Sequence, residues 1–548
     1  MYTLTLLDAV GIQKYIYNSN VLRENIGASD LVRHVTRVWP FEAVRDLGQT
    51  NVKNGRLTGT VRDLEDDRHI DQHNLDAEVL YAWGGNCAIV FKDLPTARKF
   101  ATQLSVQTLS RAPDLEITLV HRPVEWSRLT EAVDAARKEL ARKKLQRRMP
   151  TPLLGEGTTM ACRSTGLPAV ATDAGLKPPQ AVTRPVSASI LAKLQHLKAA
   201  NDYLQEQLPQ FAEAGLDIPY DFDNFGRQAG EISYIAVVHA DGNHMGDRID
   251  RLRANFTDKS PREYIQAMRN FTRAVDAASR QALEAISTVL LRHWDAARAR
   301  IVGKYVNEYG ELTELDDKPI ELARGERHYI PFRPIAFGGD DLTFVVDGRL
   351  GISLTAAYLA AYEEATAGQN DPYLQDVHAS AGIAIVKSHY PFSRAYEMAV
   401  DLCRTAKKEW NRACSTIDWH IAATGLFGEI KTIRERQYHP PAGRLTMRPV
   451  QLRQGVDTWR SWPGFASVAK EFLTGRAWKD KHNKVIALQR ALREGDQAVE
   501  RFRTIYELDA LPELSSAIPA LQTTGWDGDR CGYFDVVEAL DFFLPLEG

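Results

Sequence analysis

Hydrophobic and polar positions along the first 150 residues follow two periods in turn. "YTLTLLDA" (2–9) has the two-residue alternation of a strand and stops at Asp8. Residues 20–47 have helical spacing, and 48–75 are polar and predict a loop. "EVLYAWGGNCAIVFKD" (78–93) sets two apolar runs around Gly84-Gly85-Asn86, turn chemistry that predicts a hairpin. A helix over 95–110, a strand "LEITLVHRPV" (115–124) and a helix over 128–148 follow. Residues 149–188, rich in Gly, Pro, Thr and Ser, predict a linker, with a helix near 188–208 and a loop over 220–231.

The order then begins again. "ISYIAVVHAD" (232–241) predicts a strand stopping at Asp241, 261–300 one or two long helices, and "RPIAFGGDDLTFVVDG" (333–348) a hairpin. A helix over 351–369, a strand over 379–388 and a helix over 392–412 complete the second set. Each half thus has a strand ending in Asp, helices, a Gly-Gly hairpin, a helix, a strand, and a helix carrying paired lysines, Lys143-Lys144 and Lys407-Lys408. That shared order argues for an internal duplication. The expected class is α+β, with units at 1–148 and 229–425, a linker and helical region at 149–228, and a helical domain at 426–548.

Composition narrows this picture only a little. The 548 residues are 44% hydrophobic and 25% charged with a net charge of -3, values of a globular protein with no global pull toward nucleic acid or membrane. The five cysteines are scattered, without a C-x-x-C pair, so neither a disulfide framework nor a four-cysteine zinc site is expected. No apolar run has the length of a membrane span and the N-terminus lacks a signal-peptide pattern, so the expected compartment is the cytoplasm.

The chemistry concentrates in the second half. Asp340 and Asp341 stand side by side at a hairpin tip whose stem is apolar on both sides, with no local Lys or Arg. Asp241 ends the strand expected beside them. Carboxylates converging from neighbouring strands are a common way to hold Mg²⁺ or Mn²⁺ shared with substrate phosphates, and two such ions activate a ribose 3′-hydroxyl and stabilise a departing pyrophosphate. Gly242, Gly338 and Gly339 would let phosphates approach the backbone, with the Gly242 carbonyl as a further metal ligand. Lys407 is the candidate for the β- and γ-phosphates. The plain alternatives are a polar turn for Gly-Gly-Asp-Asp, a strand-end or capping role for Asp241, and a solvated helix face for Lys407.

"HADGNHMGD" (239–247), "FGGDDLTFV" (337–345), "SAGIAIVKSHYPFSRAYEMAVDLCRTAKK" (380–408) and "STIDWH" (415–420) resemble the catalytic palm domain of the large subunit of type III CRISPR effector complexes, a relative of GGDEF diguanylate cyclases and class III nucleotide cyclases. "LLDAVGIQKYIYNSNVLRENIGASDLV" (6–32) and "YAWGGNCAIVF" (81–91) resemble that subunit's first, degenerate palm. The resemblance implies two tandem ferredoxin-like palms that join ATP through 3′-5′ bonds into cyclic oligonucleotide messengers for antiviral defence, read by a downstream sensing effector. It also implies guide and target RNA and other complex subunits as partners. Asp241, Asp340 and Asp341 then match the metal-binding and catalytic positions. Gly242, Asn243, Gly338, Gly339 and Lys407 match nucleotide-contacting ones. The first copy has Gly84-Gly85-Asn86-Cys87 at the corresponding hairpin, without a carboxylate, which implies a non-catalytic half holding the acceptor nucleotide, with Asn86 touching it.

Three departures from the family pattern stand out. Asn243 replaces the second Asp of an Asp-x-Asp; "MACRSTGLPAV" (160–170) keeps only Cys162 of the family's zinc cysteines, so no zinc is expected; and no His is followed by Asp, so an HD nuclease is not expected. The leading expectation is a nucleotidyltransferase making a cyclic nucleotide from NTPs. The second is a non-catalytic or RNA-activated scaffold, for which the basic helix "RKELARKKLQRR" (137–148) would contact RNA. A primer-extending polymerase ranks last.

Overall fold

The computed structural model describes residues 1–146, 157–177, 181–226, 233–256, 260–422, 428–455, 459–515 and 518–547. The first sheet comprises β1 (Tyr2–Val10), β2 (Ala77–Trp83), β3 (Asn86–Phe91) and β4 (Glu116–Val124), in the order β2-β3-β1-β4 and antiparallel throughout. Helices α1 (Leu22–Arg33), α2 (Leu94–Arg111) and α3 (Leu129–Leu145) connect or follow these strands. Two further helices, α4 (Ala188–Gln195) and α5 (Leu197–Gln207), lie in the stretch between the halves and pack against α1.

The second sheet repeats the plan and extends it. Strands β5 (Tyr234–Gly242), β6 (Phe332–Ala336), β7 (Asp341–Asp347) and β8 (Ala379–Lys387) take the order β6-β7-β5-β8, with α6 (Pro261–Arg292), α7 (Gly351–Ala367) and α8 (Phe392–Glu409) in the places of the first unit's helices. The order is the first sheet's own, strand for strand, so the duplication read from the sequence is present as topology. Both are ferredoxin-like, and the fold class is α+β as expected. Two more strands widen the second sheet: β9 (Thr416–Ile421) runs parallel to β8, and β10 (Val450–Gln451) closes the edge. A helical C-terminal part follows.

Local chemistry explains why these elements hold. Ser260 and Glu263 form a capping box with Pro261 at the first turn of α6, which buries one apolar stripe along its 32 residues. On α8, Ala395, Ala399, Leu402, Cys403 and Ala406 recur at helical spacing and are buried; its last turn ends in lysines that suit the C-terminal dipole. The 261–300 expectation of helix is corrected at its end. α6 stops at Arg292, Trp294–Asp295 is a short strand, and Arg300–Val306 pairs antiparallel with Leu312–Glu321. "DAARAR" has helical propensity, but pairing wins: the main chain of Lys304 also bonds to Pro545 from the C-terminal tail. Among the described residues no helix is long and apolar enough to cross a membrane.

The two palms are fastened by α6. Arg269 is 1% exposed and reaches Glu78 of β2, itself fully buried, while donating to the carbonyls of Val79 and Leu80. Arg262 binds Glu78 and Asp71, and Arg273 binds Asp66. The glycine turns of the two hairpins consequently line one space.

Candidate functional site

Strand register builds the carboxylate group. Asp341 stands directly across from Asp241 on β7 and β5, and Ser380 flanks Asp241 on β8. Asp340 sits one residue before β7, and its carbonyl accepts from the Gly242 N–H at 3.0 Å. A Cβ at Gly242 would come within 3.0 Å of the Asp340 Cβ and 2.8 Å of Met245, so only glycine lets the strand end approach the hairpin tip. Gly338 and Gly339 have φ of 107° and 89°, which carry the tip through a turn that L side chains resist.

The three carboxylates are undercompensated. Burial first, and the Asp241 charge second, push the Asp340 and Asp341 carboxyls up to about 7. Both remain open on one side, with 43% of the Asp341 side chain exposed, so water moderates the effect without reversing it. Asp341 Oδ1 is buried without a hydrogen-bond partner. The nearest base is His239 Nδ1 at 3.3 Å, and burial pushes that imidazole down to about 4, leaving it neutral beside the carboxylate. Among the described residues the cation bonded to the group is Lys407, turned inward from α8 while Lys408 faces solvent. Its Nζ donates to Asp241 Oδ2 at 2.5 Å and to the Gly242 carbonyl at 3.0 Å. An ammonium resting on two oxygens beside an orphaned carboxylate oxygen marks a place that suits a divalent cation with oxygen ligands. The donor set is all oxygen, as Mg²⁺ or Mn²⁺ requires.

The other sequence candidates fall out differently. Asn243 is 1% exposed and faces away from the cavity. Its amide donates to the carbonyls of Arg412 and Cys414 and accepts from Ser380 Oγ. An aspartate there would point a carboxylate at two carbonyl oxygens, which gives asparagine a physical reason in this loop. Asn86 pairs across from Asp8, so by register it is the counterpart of Asp341, and Asp340 has no counterpart in the shorter first hairpin. It lines a separate cavity of about 240 Å³ together with Asp8 and Lys144. Lys144 contacts Asp8 as Lys407 contacts Asp241, so the first palm keeps the cation and one carboxylate of the pattern.

The larger cavity, about 310 Å³, lies between the palms. Gly84, Gly85, Gly338, Asp340 and Asp341 all line it. Its far wall comes from residues the sequence reading did not single out: Asp30 and Arg33 of α1, Arg37 just beyond, and Arg280 of α6. Arg33 pairs with Asp30 and stacks over Tyr203, which stacks on Phe337 beside the glycine turn. Phe337 is half-buried and faces this space, whereas Phe344 is fully buried. The resemblance of 6–32 reached Asp30, and nothing in the sequence singled out Arg33, Arg37 or Arg280. The basic helix is largely engaged within the chain: Arg137 pairs with Asp250, Lys138 with Asp134, and Lys144 with Asp8, while 147–148 lie outside the described residues.

Residues 234–415 match the family model of the Cas10/Cmr2 second palm domain. This segment belongs to that family. The match holds the whole carboxylate group, from Asp241 to Lys407. Among solved structures, Csm1 from T. onnurineus aligns with 99% of this chain and 70% of its own length at 14% identity and a TM-score of 0.51. A Csm1–Csm4 cassette in complex with cA3 aligns with the same coverage, identity and TM-score. At this identity the likeness concerns the fold, which extends from the second palm to the whole chain. No curated protein sequence matches significantly.

Proposed function

We propose that the chain is a nucleotidyltransferase that joins nucleoside triphosphates, ATP foremost, into a cyclic oligonucleotide messenger in antiviral defence, with Asp241, Asp340 and Asp341 at the reacting end. The observation that carries the reading is the placement of undercompensated carboxylates at the mouth of a cavity shared by two glycine turns. Solved relatives support the nucleotide class, since a Csm1–Csm4 cassette is described in complex with cA3. The same cassette supports assembly with another subunit of a type III CRISPR complex, and the reading adds guide and target RNA as partners.

In this reading the three aspartates would hold Mg²⁺, which when bound supplies Lewis-acid activation of the attacking hydroxyl and charge neutralisation at the phosphate. Gly338 and Gly339 leave the backbone open to the donor nucleotide's phosphates, and Lys407 supplies positive charge beside them. The acceptor nucleotide lies toward Gly84 and Gly85, whose lack of a carboxylate makes that side non-reactive. Asn86 faces the smaller cavity, so the acceptor's contacts come from the glycines. The neutral imidazole of His239 adds no positive charge beside Asp341, which leaves that carboxylate free for the metal.

The test is incubation of the purified chain with Mg²⁺ and each NTP, with and without guide and target RNA, the products identified by mass spectrometry. A cyclic product with ATP is the expected result. Product only with RNA assigns the chain to an RNA-activated subunit, and no product under either condition overturns the synthase reading.

A further inference from the structure

The inter-palm cavity is lined by four arginines, and three of them are already engaged. Arg33 pairs with Asp30 at 2.8 Å, Arg280 with Asp276 at 2.9 Å, and Arg333 donates to Asn201 and to the Pro219 carbonyl while lying over the Tyr220 ring. Arg37 is different. Among the described residues its guanidinium forms no hydrogen bond, ion pair or ring contact, although the residue is half-buried. It belongs to the wide helical turn His34–Val38 that continues α1, the kind of local irregularity that redirects a side chain.

Its direction is fixed from behind. The turn at Thr58–Asp63 presses Gly59 onto it, so that a Cβ at Gly59 would lie 2.5 Å from the Arg37 Cβ. Asp63 holds that turn by accepting from the N–H groups of Thr58, Gly59 and Thr60. At the other end, a Cβ at Gly338 would lie 3.5 Å from Arg37 Nη1 and 3.9 Å from both Nη2 and Asp276 Oδ1, the latter a carboxylate already neutralised by Arg280. The first palm thus delivers a free guanidinium to the second palm's glycine turn. A second unused donor stands next to it: Trp83 Nε1 is buried without a partner and would lie 3.6 Å from a Cβ at Gly339. Two donors without acceptors, converging on a turn that has no side chains, fit an anionic group seated on that turn.

We infer that Arg37 is a phosphate-positioning residue supplied by the first palm to the nucleotide at the second, clamping its phosphate tail against Gly338 and Gly339. This deepens the nucleotide reading above and rests on it. A planar guanidinium suits phosphate oxygens in bidentate fashion, which a lysine reproduces only as a point charge. Because the residue reaches across the boundary between the palms, the clamp also reports that the two are correctly docked.

The experiment measures equilibrium binding of adenosine, AMP, ADP and ATP, each with Mg²⁺, to the wild-type chain, Arg37→Ala and Arg37→Lys, with thermal melts to verify folding. Wild-type affinity is expected to rise with phosphate number. Arg37→Ala should keep wild-type affinity for adenosine and lose ~10–100-fold for ATP, with Arg37→Lys in between. Unchanged ATP affinity in Arg37→Ala, or an equal loss for adenosine and ATP, overturns the inference and assigns the residue to packing. A wild-type chain that binds none of the four overturns the nucleotide reading itself.

Discussion

At the residue scale the site is defined by which charges have partners. Asp340 and Asp341 titrate near 7 because burial and Asp241 oppose their ionisation. A carboxyl raised above its unfolded value contributes stability that is present below the unfolded pKa, ordinarily about 4, and lost as pH rises through the folded one. In EDTA the melting temperature is therefore expected to fall between about pH 5 and 8, more steeply than in an Asp340→Asn, Asp341→Asn variant, and Mg²⁺ should restore it at the upper end. Parallel pH profiles for the two proteins would contradict this. Asn243 makes a separate prediction. Since its buried amide donates to two main-chain carbonyls, Asn243→Asp should destabilise the chain by about 1–3 kcal/mol in denaturant unfolding, despite adding a carboxylate next to the metal-ligand candidates. The aspartates were legible in the sequence because adjacent carboxylates on an apolar hairpin repel each other and call for a cation. The orientation of Asn243 and the reach of Arg37 were not: each depends on contacts with segments far away in the chain.

At the scale of elements, both Gly-Gly hairpins, the strand before each and the lysine-bearing helices were readable from turn chemistry and period. Register was not. The two hairpins have turns of different length, so sequence matching sets Asn86 against Asp340, whereas the cross-strand pairing sets it against Asp341. The strands after α6 were hidden by the helical propensity of "DAARAR", which pairing with distant residues overrides. α6 itself is more than a crossover. Its Arg269 is buried against Glu78 of the first palm, and truncation leaves that carboxylate with one fewer cation in a dry environment. Arg269→Ala should lower stability by about 3–5 kcal/mol, read from the shift of the unfolding midpoint; a shift under ~1 kcal/mol would show that the contact does not hold the palms.

At the scale of the whole molecule, two copies of one fold have diverged in charge while keeping geometry. Both retain a strand-end aspartate met by a lysine from the closing helix, Asp8 with Lys144 and Asp241 with Lys407. Only the second adds the hairpin pair, and the cavity between the copies opens onto that pair. The central claim is that this pair performs the chemistry. The measurement that tests it most directly is product formation from ATP and Mg²⁺ by the Asp340→Ala, Asp341→Ala double variant beside the wild type, under whichever RNA condition activates the latter. Loss of product by a double variant that still unfolds cooperatively is the predicted result, and undiminished synthesis by it would contradict the claim.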